Sequence, residues 1–169
     1  MNKQKLWTKG SKIERFDIVP VDRQGDFLNM LGQINFFKYY EDVFDPSIHI
    51  TIQCADTYGF LNKLPIRSGN AVNLKITHPS NEDGIEYDVK DEPLVITNIM
   101  NIMSDPKREV YDLVLETKHA VSNHTTRVWE KHKGNISTSV EKILKEKLEI
   151  KKERIFTEKT KNDYEFFKK

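Results

Sequence analysis

The chain lacks the devices that let a small protein dispense with a packed core. It has one cysteine, Cys54, so it can form no internal disulfide and has no Cys-x-x-Cys pair to hold zinc. It has 7 glycines, scattered rather than gathered into a phosphate-cradling loop, and no Gly-x-Ser-x-Gly elbow to expose a nucleophile; Arg67-Ser68-Gly69 lacks the first glycine and the spacing. No window approaches the roughly 20 apolar residues of a membrane span. The basic N-terminus MNKQKLWTKG is not followed by an apolar run of signal-peptide length. The expectation is a soluble protein made in a reducing cytosol, with Cys54 a buried and unreactive thiol.

An excess of one charge is missing too. Lys and Arg number 27 against 26 Asp and Glu, a net charge of +1. Proteins that neutralise phosphates show a clear basic excess, at least locally, so nucleic acid is not the default partner. The five histidines include His119 and His124, which miss the four-residue spacing that puts two zinc ligands on one helix face. No metal or other cofactor is expected. Glu41, Asp42 and Asp45 could suggest paired carboxylates, but neighbouring acids on a strand point to opposite faces, and a polar strand end with an Asp45-Pro46 turn is the simpler reading. No catalytic constellation emerges, and the chain is read as a non-enzyme.

Alternating hydrophobicity is present, and it is strong. In His49–Ala55, Ile50, Ile52 and Cys54 share one face opposite His49, Thr51 and Gln53, the period of a half-buried strand. Ala71–His78 repeats it with Val72, Leu74 and Ile76. Further strands are expected over Arg15–Val21, the aromatic run Gln33–Phe44, Ile85–Val89, Leu94–Met103 and Glu109–Thr117, with turns at Asn81–Gly84 and Asp105-Pro106. Between the two alternating strands, Asp56 or Thr57 can cap a short helix that Pro65 ends; Phe60, Leu61 and Leu64 would then plug one end of the sheet.

After Lys118 the character changes. A short helix is expected over Ala120–Thr126. A longer one over Ile136–Leu148 carries the stripe Ile136, Val140, Ile143, Leu144 and Leu148, capped by Thr138 with Glu141 or by Ser137. The charged stretch from Glu149 onward could hold one or two edge strands. The architecture expected is mainly β: an antiparallel barrel of six or more strands with a short inserted helix, then a small α/β segment. Its divisions are an N-terminal arm over residues 1–12, the barrel over 13–118, and the start of a second domain over 119–169.

The run Phe36–Ile76 also carries a resemblance. An aromatic strand leads into Tyr40-Glu41-Asp42-Val43-Phe44-Asp45-Pro46; the strand Ile48 to Asp56, then Leu64-Pro65-Ile66, Gly69 and another strand follow. This order is similar to the N-terminal region of the central baseplate hub of contractile-tailed, T-even-like phages. Arg127-Val128 and Lys133-Gly134-Asn135-Ile136-Ser137, followed by Val140 and Ile143-Leu144, resemble the family's link into its next domain. Hubs are much longer, so the chain is expected to hold only a first module.

The resemblance implies a tail-tube-like barrel and a homotrimeric ring joining the tail tube to the central spike. It also implies a place in the virion baseplate after synthesis in the host cytoplasm, and no contact with nucleic acid beyond DNA passing through the tube. The partners expected are other copies of the chain, tube proteins and spike proteins. Phe37, Tyr39, Tyr40 and Phe44 are the candidates for a subunit interface or barrel edge. The alternative is a single-stranded nucleic-acid-binding barrel in which Phe36 to Tyr40 stack bases beside Lys38; the acids that follow at once and the split of Phe36 and Phe37 between two faces argue against it.

Overall fold

A computed structural model describes residues 10–21, 26–45, 47–63, 66–79, 81–128 and 131–167, with backbone alone at 81, 82 and 163–167. The chain divides at Thr117/Lys118 into two compact units. The first is mainly antiparallel β. Its strands are β1 (Lys12–Val19), β2 (Leu28–Asn29), β3 (Ile34–Tyr40), β4 (His49–Asp56), β5 (Ala71–His78), β6 (Asn81–Tyr87), β7 (Leu94–Ser104) and β8 (Glu109–Thr117); the helix α1 (Phe60–Lys63) lies between β4 and β5.

Period-two alternation builds the core directly. In β4, Ile50, Ile52 and Cys54 are buried, and the register sets them opposite Leu115, Leu113 and Tyr111 of β8. In β5, Val72, Leu74 and Ile76 face Ile18, Phe16 and Ile13 of β1. These pairs form one apolar cluster, against which Phe37, Tyr39, Phe60 and Leu61 pack from the side. Burial of this kind contributes about 25 cal/mol per Å² of apolar surface, so the cluster dominates what holds the unit together.

The hydrogen-bonded order is β2-β1-β5-β7-β8-β4-β3, with β6 also on β5. Neighbours in the sheet are therefore often distant in sequence: β4 pairs with β8 and β1 with β5. Strand β5 is where the sheet forks. Its first residues, Ala71 and Val72, pair with β7, while Leu74 to His78 pair with β6. No backbone ladder joins β2 to β3 among the described residues. Across from β6, β3 makes contact by side chains, the Tyr39 and Tyr87 hydroxyls lying 3.2 Å apart.

Two local readings differ from expectation. The aromatic strand stops at Tyr40 because Asp42 folds the chain back: its Oδ1 accepts from Phe44 N at 2.9 Å, and its carbonyl accepts from Asp45 N at 3.2 Å. Asn81–Gly84 is strand rather than turn; Asn81 already pairs with His78, and the ladder absorbs a bulge between Ile76 and His78. Gly84, at φ +69°, makes this possible, since a Cβ there would lie 2.4 Å from the Ile76 carbonyl oxygen. The expected contributions of Pro46, Leu64 and Pro65 lie outside the described residues.

The second unit contains α2 (Lys118–Thr125), β9 (Lys131–Asn135), α3 (Ile136–Glu146) and β10 (Asp163–Phe167), with β9 and β10 antiparallel. Helix α3 starts at Ile136 as expected, but Asn135 is its N-cap residue, and Ser137 and Thr138 lie inside it. Thr160 holds this end, its Oγ1 accepting from Ile136 N at 3.2 Å and its N–H donating to Ser137 Oγ at 3.3 Å. With a partner available downstream, the capping-box geometry is not needed. The pairs Glu141–Lys145 and Lys142–Glu146 do form, at 3.6 and 3.9 Å. The apolar stripe of α3 is only partly covered, Val140 being exposed.

Candidate interaction site

The four candidate residues separate into two pairs. Phe37 and Tyr39 point inward and are half-buried against the core. Tyr40 is exposed at the end of β3, and Phe44 stands out from the β3–β4 turn at 95% exposure. Beside it is Val43 at 96%, a residue the sequence did not single out. Strand β3 is the last in the hydrogen-bonded order, so its second edge offers unpaired backbone groups among the described residues. The arrangement is an aromatic edge strand ending in an apolar tip.

The tip is held from below. Asp45 Oδ1 accepts from Ser47 N at 2.9 Å and from Ser47 Oγ at 2.7 Å. Those bonds, first from the hydroxyl and then from the backbone, hold the Asp45 carboxyl below the usual carboxylate range, with His49 adding to the effect. His49 Nε2 lies 3.0 Å from Ser47 Oγ and 3.3 Å from Asp45 Oδ2; its Nδ1 lies 3.4 Å from Glu116 Oε1 on β8. The imidazole therefore ties the turn to the neighbouring strand. Serine, histidine and carboxylate are the ingredients of a nucleophilic triad, but here Ser47 donates its hydroxyl proton to Asp45, so the group works as a clamp.

The rest of β3 is tied in by polar bonds. Tyr39 Oη donates to Glu41 Oε2 at 3.0 Å. Burial raises the Tyr39 phenol, and Tyr87 and Glu41 are the neighbours that act on it next. A row of side chains crosses four strands: Asn35 donates to Gln53 at 2.7 Å, Gln53 to Asp112 at 3.0 Å, and Asn101 to Asp112 at 2.7 Å. Lys38 Nζ sits 5.6 Å from the Phe36 ring centroid.

Sequence reasoning missed the clamp because His49 and Glu116 meet only through the β4–β8 register. The one signal available was Asp45 two residues before Ser47 and four before His49.

Among the described residues no group of three or more His, Cys, Asp or Glu side chains is placed to hold a metal ion. No described helix is long and apolar enough to cross a membrane. Comparison with known families finds none whose model matches the chain, and no curated protein matches it.

Proposed function

We propose that the chain is a structural subunit of a phage tail baseplate, the first module of a hub that adapts the tail tube to the central spike. The observation that carries this reading is the local order of the resembling segment. An aromatic edge strand, an acidic turn presenting Phe44, an inward-alternating strand and the short helix α1 follow one another within an antiparallel sheet. On this reading the sheet curls into a tube-like barrel, its seam near β3 and β6 bridged by Tyr39 and Tyr87. Tyr40 and Phe44 bury against neighbouring subunits, while Phe37 and Tyr39 hold the edge strand to its own core. Trimeric copies would form the ring, placed in the virion baseplate.

The test is co-expression with the tail-tube and spike proteins encoded in the same genome, followed by purification of the assembled complex. The expected result is a stable complex containing this chain in multiples of three. Failure to bind either protein, with the chain absent from purified tails by mass spectrometry, would overturn the reading.

A further inference from the structure

An exposed valine–phenylalanine pair on a fixed turn is an unusual use of apolar surface. A flexible loop would lose conformational freedom on docking; this one is braced by the bonds of Asp42, Asp45 and His49, so less is lost. The five residues 41–45 also carry three carboxylates, Glu41, Asp42 and Asp45, and no cation. Phosphate-bearing partners, whether nucleic acid or an anionic bilayer, would be repelled. The complementary surface is an apolar cleft with basic side chains at its rim.

An open groove with apolar side chains among a partly polar lining lies on the same unit. It has a volume of about 360 Å³ and lies between the start of β1, the 3-10 turn Leu31–Gln33 and the start of β3. Ile13, Leu31, Ile34, Phe36 and Phe37 supply its apolar lining, and Lys12 is the one charged residue that lines it. Lys38 adds a second cation above Phe36; Glu14, 3.9 Å from Lys12, is exposed and weakens the contrast without reversing it. The volume falls at the small end of the roughly 300–1,000 Å³ range of ligand-sized clefts, room for an aromatic ring and a neighbouring aliphatic side chain. The groove is lined by the first half of β3 and the tip lies beyond its other end, so one copy's tip can meet another copy's groove.

We propose that copies of this chain join by seating the Val43–Phe44 tip of one in the Leu31–Ile34–Phe36 groove of another. This deepens the assembly reading above and rests on it. The hydrophobic pair supplies the anchor, and Glu41, Asp42 and Asp45 meet Lys12 and Lys38 at the rim. Self-association should therefore weaken with salt.

The test uses the full chain, whose own Cys54 is buried and silent. Val43→Cys and Leu31→Cys variants are mixed and oxidised. Cross-linked dimers in the mixture, with none from either variant alone, are the expected result. Phe44→Asp should weaken self-association at least about tenfold in sedimentation velocity, the loss of a modest anchor. Lys12→Glu should weaken it too, with partial recovery when Asp42→Lys is introduced. Cross-linking by Val43→Cys alone would show tip-to-tip contact and overturn the proposal. So would a Leu31→Cys thiol shielded from maleimide in the dilute monomer, since the groove would then be filled from within its own chain. If the chain self-associates but Phe44→Asp and the cross-linking leave this unaffected, the contact is wrong and the assembly reading stands. A chain that stays monomeric at its highest usable concentration overturns the contact, and binding to tube and spike proteins then judges the reading by itself.

Discussion

A carboxylate that is only 1% exposed must be surrounded by donors, and Asp56 is. Its Oδ1 accepts from Tyr58 N and Gly59 N, both at 2.9 Å; its Oδ2 accepts from Leu61 N at 3.1 Å and from the buried Tyr111 hydroxyl at 3.5 Å. One side chain thus ends β4, starts α1 and satisfies a core phenol. Asp56→Ala should cost about 2 kcal/mol, because three backbone N–H groups and a buried phenol lose their acceptor; Asp56→Asn, which keeps one acceptor, should cost less. Urea titration of both variants measures the difference. Cys54, one turn of the alternation earlier, has its thiol pushed up to about 12, first by burial and then by the charges of Asp56 and Asp112. An unfolded cysteine titrates near 8.5. Above that pH the unfolded chain has lost a proton that the native chain keeps, so stability falls as pH rises, by up to about 1.4 kcal/mol per unit. Cys54→Val should flatten this dependence between about pH 8.5 and 10, as followed by denaturation midpoints. In the native protein the thiol should react with maleimide only as fast as the chain opens.

At the scale of elements, β7 stands apart. Its eleven residues, LVITNIMNIMS, include no charge, in a chain that is 31% charged. Beyond Ile96 its second edge carries no ladder among the described residues, and Met100, Ile102 and Met103 are exposed there. Bulges at Ile96/Asn98 and Met100/Met103, with Asn101 at φ +54°, twist this edge and partly protect it. A long, uncharged, open edge is still an aggregation hazard. Met103→Lys should suppress aggregation of the isolated chain in light scattering while shifting stability by no more than about 0.5 kcal/mol.

Elements also show what the sequence could and could not reveal. Strands β5 and β8 run over Ala71–His78 and Glu109–Thr117, as their composition and alternation indicate, because one buried face fixes the period. The Asp105-Pro106 turn was legible as well, from Asp105 accepting Lys107 N at 2.8 Å and Arg108 N at 3.0 Å, a local pattern. The fork in β5 was not legible, because it depends on which strand each half of β5 meets. Nor was the Asn135 cap of α3, set by Thr160 from beyond the helix. In the candidate site, the aromatic strand was readable, whereas the exposure of Val43 depended on where the strand would stop.

At the scale of the whole molecule, the buried apolar side chains among the described residues fall almost entirely in one unit. Every residue of the buried cluster, from Ile13 to Leu115, lies in the first unit. In the second, Ala120 is the one buried apolar side chain among the described residues, and the other buried groups are polar: His132, Ser137 and Ser139. Its described residues are joined by the β9–β10 ladder and by the bonds linking Asn135, Ser137 and Thr160. Hydrogen bonds of this kind contribute only about 1 kcal/mol each, against a backbone ordering cost of about 1–2 kcal/mol per residue. The two units should therefore differ in autonomy. A fragment of residues 1–117 should keep its sheet and unfold in one cooperative transition. A fragment of residues 118–169 should give a broad, weakly cooperative melt. Circular dichroism of the two fragments beside the full chain decides this; a sharp transition from 118–169 alone would show that the half-covered apolar face of α3 finds partners within its own unit.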